Sequence, residues 1–279
     1  MIGQKEVLKQ IDNLIEKGFP RFIVITGQRG QGKTELAKYI SKKLEYQLVE
    51  FGIKIDEIRE MIQMAYKQTE PIIYLIQNAD KMSIGAKNSL LKVIEEPPNN
   101  AFFIMELQQI ENTLETIKSR CQQIKMQEYT YEEKMEMLNK LKPDATLEET
   151  QVLNKLDNYY QMQKVLEYNP IEFINYVDKV YNNIYKVQSA NSFKIAEKID
   201  LKDIGEGYDL ELFWIMYMNI GIGELFNYAI DNSWDETSDI IDKCISITSK
   251  YKNKLKITGI NKQSLFDLWV LDIRKEWLK

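Results

Sequence analysis

Residues Gly27 to Thr34 spell GQRGQGKT, which fits the pattern G-x-x-x-x-G-K-[ST] at every specified position. A loop of this composition can hold phosphate, because its backbone N–H groups close around phosphate oxygens and its lysine adds positive charge. We predict that Lys33 reaches the β- and γ-phosphates of ATP or ADP and that the Thr34 hydroxyl holds Mg²⁺. The other predicted phosphate-contacting residues are Gly27, Gln28, Arg29, Gly30, Gln31 and Gly32.

Acids are missing at the place where such a loop usually finds them. In P-loop enzymes a second strand ends in an acid that helps position Mg²⁺, and a neighbouring carboxylate usually activates the attacking water. The apolar run Pro71 to Ile76 has the character of that strand, but Gln77 and Asn78 follow it. Amides form hydrogen bonds but cannot take a proton from water. We interpret Asp80, two positions further on, as a capping or surface residue in preference to a replacement acid.

Strand and helix patterns alternate around these residues. Helical spacing of apolar residues predicts a helix from Val7 to Lys17, and the run Arg21 to Thr26 predicts a buried strand directly before the glycine loop. A second helix follows the loop. Further predicted elements are strands at Pro71–Ile76 and Ala101–Leu107, with a helix from about Ser83 to Glu95 that Pro97 and Pro98 end. This alternation predicts a parallel sheet covered by helices on both faces.

The chain has 279 residues, of which 44% are hydrophobic and 28% charged, so it can bury more than one core. Strand patterns stop after about Lys125, and only helical patterns follow, with loops near Ser189–Ser192 and at Asp203–Asp209. We predict three domains: an α/β nucleotide-binding domain at 1–127, a small helical domain at 128–168 and a larger all-α domain at 169–279.

Composition excludes several classes of function. The chain has no histidine, which removes Ser-His-Asp and Cys-His catalysis and most zinc sites. Its two cysteines, Cys121 and Cys244, are too few for a disulfide framework, and we interpret them as buried thiols. Because the formal net charge is −5, any nucleic acid has to meet a local basic patch. The polar start MIGQKEVLKQ and the lack of long apolar runs predict a cytoplasmic protein with no secretory signal and no membrane partner.

Three further segments bring a family into view. The stretch from Gln77 to Pro98, QNADKMSIGAKNSLLKVIEEPP, resembles the segment DEADKMT-x-x-AQNALLKTLEEPP of bacterial clamp-loader ATPases. TIKSRC, from Thr116 to Cys121, is similar to the TIRSRC segment of the same proteins. Ile2, Gly3 and Gln4 resemble an IGQ segment that lies near the adenine in that family. The resemblance covers about the first 125 residues closely and the remainder only in layout.

The resemblance implies an AAA+ fold followed by a helical lid and a helical collar. It also implies a ring-like assembly with other clamp-loader subunits, which opens a sliding clamp and places it on primer–template DNA. Two of its subunit types are similar to this chain, gamma/tau and delta-prime. The gamma/tau type has working acids and usually a zinc-binding cysteine cluster, and this chain has neither, so the departures favour the delta-prime type.

Other family positions are altered as well. The polar residue that the family has at the end of its sensing strand falls near Gln108, which could still contact a γ-phosphate. The family's lid offers an arginine to the nucleotide, whereas the corresponding region Leu156 to Lys164 has none. These departures predict nucleotide binding with weak or no hydrolysis by this chain itself.

The resemblance assigns Arg120, in TIKSRC, as an arginine finger that reaches the phosphates bound by a neighbouring subunit. The planar, permanently charged guanidinium suits the charge spread over a transferring phosphoryl group. The resemblance further places the helix after Lys81 against DNA, where Lys81, Ser83 and Lys87 could contact phosphates.

Three functions remain open from the sequence. The first is a clamp-loader subunit that acts by assembly and by supplying Arg120 to a neighbour. The second is an active AAA+ ATPase in which Asp80, or an acid from another subunit, replaces the missing pair. The third is a nucleotide-binding interaction module outside replication.

Overall fold

The computed structural model of the chain describes residues 1–186, 210–231, 234–255 and 260–277. Contacts divide the chain into two compact units, Met1–Glu133 and Lys134–Lys279. No helix in these described ranges is both long and apolar enough to cross a membrane.

The first unit contains a five-stranded sheet in which every strand pair is parallel, in the order β2-β3-β4-β1-β5. The strands are β1 (Phe22–Thr26), β2 (Gln47–Phe51), β3 (Ile72–Ile76), β4 (Ala101–Leu107) and β5 (Gln122–Lys125). The predicted parallel sheet is thus confirmed, and β1, which leads into the glycine loop, lies between β4 and β5. All parallel strands present their carboxyl ends at one edge, so β1, β3 and β4 deliver their following residues to the same side of the sheet.

The sequence analysis did not predict β2 and β5, which lie at the two edges of the sheet. β2 has no fully buried residue, and β5 has one, Ile124. Short edge strands of this kind lack the continuous apolar run that marks a strand covered on both faces. By contrast, β3 and β4 are buried at every position, and their predicted ranges agree with the observed ones to within one residue.

Helices cover both faces of the sheet. Their ranges are α1 (Lys5–Lys17), α2 (Lys33–Leu44), α3 (Ile55–Lys67), α4 (Ile84–Glu95) and the short α5 (Glu115–Lys118), with single turns of 3₁₀ helix at Ala79–Lys81 and Ile110–Asn112. One apolar cluster forms between the sheet and α3 and α4, and includes Tyr74 and Phe103 with their rings stacked at 5.4 Å between centroids. A second cluster, on α1 and α2, includes Ile11, Ile25 and Ile40. The first unit therefore has its own core on each face.

The second unit contains helices and connecting turns, with no strand among its described residues. Its helices are α6 (Tyr131–Leu141), which begins just before the unit boundary, α7 (Leu147–Leu153), α8 (Tyr159–Leu166), α9 (Pro170–Lys186), α10 (Leu210–Asp231), α11 (Trp234–Leu255) and α12 (Lys262–Trp277). Trp214 of α10 stacks on Phe266 of α12 with 3.6 Å between ring centroids. α7 and α8 both pack against α9, so helices on either side of residue 168 share contacts. The predicted lid and collar boundary stays a prediction, and the predicted loops near Ser189–Ser192 and Asp203–Asp209 lie outside the described residues.

Candidate nucleotide site

The glycine loop connects the end of β1 at Thr26 to the start of α2 at Lys33. Gly32, the residue before the helix, has φ of 87°, a left-handed conformation that residues with a side chain rarely adopt. Gly27 is needed for space, since an added Cβ would lie 2.6 Å from Gln31 Oε1 and 2.8 Å from Met126 Cβ. The two positions show why the pattern requires glycine, and the loop leads into the N-terminus of α2, where a helix favours anions.

Lys33 folds back over this loop. Its ammonium group donates hydrogen bonds of 2.8 Å to the carbonyl oxygens of both Gly27 and Gln28. Burial lowers the pKa of Lys33, while the nearby carboxylates of Glu106 and Asp80 act in the opposite direction. A cation is therefore held at the mouth of the loop, where phosphate oxygens could take the place of the two carbonyls.

Gln31 braces the loop from inside. It is 5% exposed, and its side-chain oxygen accepts from the backbone N–H of Gln28 at 2.5 Å. Its amide nitrogen donates to the carbonyl of Gln127 at 3.2 Å, and the Tyr129 hydroxyl donates to its backbone carbonyl at 2.7 Å. These bonds fix the loop to the segment that follows β5. The loop therefore holds a defined conformation before any phosphate binds.

The segment at Ile2, Gly3 and Gln4 lies beside the same region. Gln4 is 2% exposed, and its amide makes two reciprocal bonds with Gln127, donating to the carbonyl at 2.6 Å and accepting from the N–H at 2.8 Å. The methyl group of Met1 is 3.6 Å from the position that a Cβ on Gly32 would take. Gln4 and Gln31 of the glycine loop thus bond the same residue, Gln127, and contact of this segment with an adenine stays a prediction.

Glu106 is a site residue that the sequence interpretation missed. It lies on β4, is 5% exposed, and its Oε2 accepts a hydrogen bond of 3.2 Å from the hydroxyl of Thr34. Burial raises its pKa, partly offset by the Thr34 hydrogen bond and the Lys33 charge. The sequence feature that indicates Glu106 is an acid inside the otherwise apolar run AFFIMEL. The resemblance instead points to Gln108, just beyond the strand, as the residue that could contact a γ-phosphate.

The end of β3 carries amides as the sequence indicates. Gln77 is half-buried, and Asn78 is exposed with a left-handed φ of 52°. Asp80 does not cap a helix. Its carboxylate accepts from the backbone N–H of Gln108 at 2.9 Å and from the Asn112 side chain at 2.7 Å. Asp80 therefore joins the ends of β3 and β4, and these donors occupy the carboxylate that a replacement acid would need.

The donor set near the glycine loop fits a nucleotide with Mg²⁺. Lys33 and the helix N-terminus suit phosphate, and the Thr34 hydroxyl with the Glu106 carboxylate supplies oxygen donors of the kind that Mg²⁺ prefers. No group of three or more acidic, cysteine or histidine side chains among the described residues could hold a metal without a nucleotide. When bound, Mg²⁺ would neutralise phosphate charge, and this chain would hold it through Thr34 and a carboxylate.

Arg120 lies outside this site, in the turn after α5. Its guanidinium is paired with Glu95, at the end of α4, at 3.2 Å, and donates to the Thr116 carbonyl at 3.1 Å. The Arg120 side chain is 42% exposed, so a group from outside could reach it. The next residue, Cys121, packs against the core, and burial raises the pKa of its thiol to about 12.

The predicted DNA-contacting residues have different surroundings. Lys81 and Ser83 are exposed, and the Ser83 hydroxyl caps α4 by accepting from the N–H of Ala86 at 3.1 Å. Lys87 is 8% exposed, and its ammonium group donates to the backbone carbonyl of Asn112 inside the protein. A surface formed by Lys81, Ser83 and the start of α4 therefore remains as the candidate DNA contact, without the Lys87 ammonium.

Comparison with known proteins places these features in context. Residues 45–130 match the family model described as DNA polymerase III, delta subunit. The gamma subunit of DNA polymerase III from Buchnera aphidicola subsp. Schizaphis graminum is 30% identical over 158 residues, which cover 45% of this chain and 44% of that protein. The delta' subunit from Bacillus subtilis is 27% identical over 156 residues, covering 44% and 47% respectively. The matched segment spans less than half the length of these curated relatives.

Among solved structures, one of katanin is 14% identical and covers 63% of this chain and 70% of that chain, with a TM-score of 0.50. At this identity the likeness concerns the fold alone. The sequence matches are to subunits of DNA polymerase III, and the family match at residues 45–130 lies within the first unit.

Proposed function

We propose that this chain, a member of the AAA+ clamp-loader family of DNA polymerase III, binds ATP or ADP with Mg²⁺, hydrolyses it weakly or not at all, and works through assembly with other subunits. The observation that carries the proposal is the pairing of a complete glycine loop with a β3 strand that ends in two amides, Gln77 and Asn78. The loop can bind phosphate, while the position that usually supports hydrolysis has no base.

A delta-prime-like role follows from this combination. Such a subunit would enter a ring-like complex that loads a sliding clamp on primer–template DNA, with residues 169–279 as the assembly domain. Its contribution to chemistry would be Arg120, which would act on nucleotide bound by a neighbour. The position of the TIKSRC turn supports this assignment: the turn comes directly before β5, whereas the glycine loop comes directly after the parallel strand β1, so the two lie at opposite edges of the sheet.

The alternative of an active ATPase has less support. Its best replacement acid in β3's neighbourhood is Asp80, but the Gln108 N–H and the Asn112 side chain both donate to that carboxylate. A carboxylate so engaged is a poor general base, because protein donors already occupy the oxygens that would have to take a proton from water. An acid contributed by another subunit would rescue hydrolysis only in the assembled complex. An interaction module outside replication would bind nucleotide equally well but would not associate with a clamp.

Nucleotide titration of Lys33→Ala tests the core of the proposal. The wild-type chain should bind ATP or ADP with Mg²⁺ in a calorimeter, and the variant should lose affinity by about 10- to 100-fold, since a charge-assisted contact contributes roughly 1.5–3 kcal/mol and the loop loses its main cation. Lys38→Ala is the matched control, because Lys38 is an exposed lysine on the same helix, paired with Glu35.

Steady-state hydrolysis by the same preparations separates the two main readings. Weak turnover by the isolated wild type is expected. Turnover at an ordinary AAA+ rate would show that the amides at the end of β3 do not prevent hydrolysis. Absence of any nucleotide binding by the wild type would mean that the loop is a relic.

A further inference from the structure

Only one of the two oxygens of the buried Glu106 carboxylate accepts a hydrogen bond among the described residues. Its Oε2 accepts from Thr34, while its Oε1 is buried and has no hydrogen-bond partner among the described residues. Leaving a buried polar atom without a partner costs free energy, and the cost is larger for an ionised carboxylate. Such an atom is retained most readily where a ligand completes its coordination.

The position of Glu106 in the sheet directs it at the phosphate loop. β4 lies beside β1, and Glu106 is in register with Ile25, two residues before Gly27. Its partner Thr34 is the second residue of α2 and the predicted Mg²⁺ ligand. The carboxylate thus lies directly against the hydroxyl that a nucleotide-bound cation would use.

Other charged groups nearby do not satisfy this carboxylate. The Lys33 ammonium donates to the carbonyls of Gly27 and Gln28, and it influences Glu106 only through space. Asp80 could compete for a cation, but both of its oxygens accept from the Gln108 N–H, and one also accepts from Asn112. Of the two acids near the glycine loop, Asp80 and Glu106, only Glu106 has a buried oxygen without a hydrogen-bond partner.

We propose that Glu106 and Thr34 together form the protein's share of a divalent-cation site, with Glu106 on β4 acting in place of the acid that β3 lacks. Mg²⁺ is usually held by one or two carboxylates together with substrate phosphates and waters, so a single carboxylate with a hydroxyl is a sufficient protein contribution. The inference rests on the proposed nucleotide binding, because the phosphates supply the remaining ligands.

The site makes nucleotide affinity depend on the cation. With Mg²⁺ present, the carboxylate and the phosphates share the positive charge. Without Mg²⁺, the same carboxylate faces the negative phosphates in a buried setting, where like charges repel strongly. Glu106 should therefore strengthen binding of the Mg²⁺ complex and weaken binding of free nucleotide.

Calorimetric titration of ADP in Mg²⁺ and in EDTA tests this with wild type, Glu106→Gln and Glu111→Gln. Glu111 is an exposed acid in the turn after β4 and serves as the matched control. Mg²⁺ should strengthen binding by the wild type and the control by about 10- to 100-fold, the range expected from one charge-assisted contact. For Glu106→Gln, Mg²⁺ should strengthen ADP binding by less than about threefold, and the ADP affinity of this variant in EDTA should exceed that of the wild type.

Electron paramagnetic resonance of Mn²⁺ in place of Mg²⁺ gives a readout that does not depend on turnover. Mn²⁺ added with ADP should become protein-bound with the wild type and remain mostly free with Glu106→Gln. Glu106→Asp, which keeps the charge on a shorter side chain, should give intermediate binding and covers the case in which the amide variant does not fold. If Mg²⁺ strengthens ADP binding by the same factor for wild type and Glu106→Gln, the proposed cation site is overturned while the proposed function stands. If the wild type does not bind ADP at all, the proposed function is overturned together with the site.

Discussion

Cys121 shows how a single residue fixes the turn that carries Arg120. The thiol packs against the apolar cluster between the sheet, α3 and α4, while the adjacent guanidinium points to the surface and pairs with Glu95. A small apolar side chain next to a charged one anchors the turn at one residue and leaves the other accessible. The TIKSRC segment thus has a structural reason for its cysteine that is separate from the proposed role of its arginine.

We expect Cys121, which is partly buried, to be alkylated more slowly in the folded protein than in the unfolded chain. Burial raises the pKa of its thiol from the ordinary 9.0 to about 12, so at pH 9 the reactive thiolate is far scarcer than in an unfolded chain. The sign follows from linkage: the neutral thiol is favoured in the folded state, and this stabilisation is present below pH 9 and is lost as the pH rises towards 12. Iodoacetamide labelling at pH 9, mapped by mass spectrometry with and without urea, measures it. Rapid labelling of Cys121 without urea would contradict the burial.

At the scale of the element, α4 has a different function at each end. Its start is capped by Ser83, and its last residue, Glu95, holds Arg120. Between them, Lys87 lies on the face that packs against the sheet, together with Ala86 and Leu90. The helix therefore connects the candidate DNA-contacting surface to the turn of the proposed arginine finger.

The Ser83 cap allows DNA contact to be tested separately from folding. Asp and Asn are both good N-caps, whereas Ala removes the cap and costs about 1 kcal/mol. Ser83→Asp should keep the chain's unfolding free energy close to that of the wild type but lower the affinity of the assembled complex for primer–template DNA, because a carboxylate repels phosphate. Ser83→Asn should preserve both. Fluorescence anisotropy with labelled DNA at low salt measures the affinity, and equal affinities for the two variants would remove this helix start from the DNA surface.

The sequence predicts the elements that have continuous apolar runs. It does not predict the surroundings of side chains whose hydrogen-bond partners are distant in sequence. The fully buried β3 and β4 were predicted almost residue by residue, because both faces of a central strand demand apolar side chains. The resemblance places Lys87 against DNA, yet the side chain is buried and its ammonium group donates to the Asn112 carbonyl, 25 residues away in sequence. Glu106 was overlooked for a related reason: its partner Thr34 is 72 residues away in sequence, and only strand order brings the two together.

At the scale of the whole molecule, the contacts divide the chain into two compact units after Glu133, and the predicted lid and collar boundary at residue 168 stays a prediction. The first unit has an apolar core on each face of its sheet, so a fragment of residues 1–133 should fold and retain nucleotide binding. A fragment ending at Tyr168 would instead deprive α7 and α8 of their contacts with α9.

The fragment 1–133 should fail to assemble with partner subunits if the helical unit provides the interface. Circular dichroism and calorimetry would establish its fold and nucleotide affinity, and size-exclusion chromatography with clamp-loader partners would measure assembly. The full chain is the control. Assembly of the fragment as tight as that of the full chain would move the interface to the α/β unit.

Arg120 belongs to the largest scale, because its proposed effect appears only in the assembled complex. Its guanidinium is already paired with Glu95 and is 42% exposed, so a phosphoryl group of a neighbouring subunit would have to replace a surface ion pair that contributes little, about 0–1 kcal/mol. Arg120→Ala should therefore leave the chain's own nucleotide affinity and its assembly unchanged. It should lower the clamp- and DNA-stimulated ATPase activity of the complex, since an arginine finger contributes on the order of 10³–10⁵ in turnover at the site it serves.

The total loss should be smaller than that range, because other sites of a ring would continue to turn over. Arg120→Lys should recover little of the activity, since an ammonium group lacks the two-pronged donor geometry of a guanidinium. Arg59→Ala is the matched control, because Arg59 is an exposed arginine of the same unit that pairs with Asp56 on α3. ATPase rates of the reconstituted complex carrying each variant, with assembly checked by size-exclusion chromatography, measure the effect. If Arg120→Ala and Arg59→Ala support the same rate as the wild type, Arg120 is an ordinary surface arginine whose partner is Glu95, and this chain contributes to its complex by assembly alone.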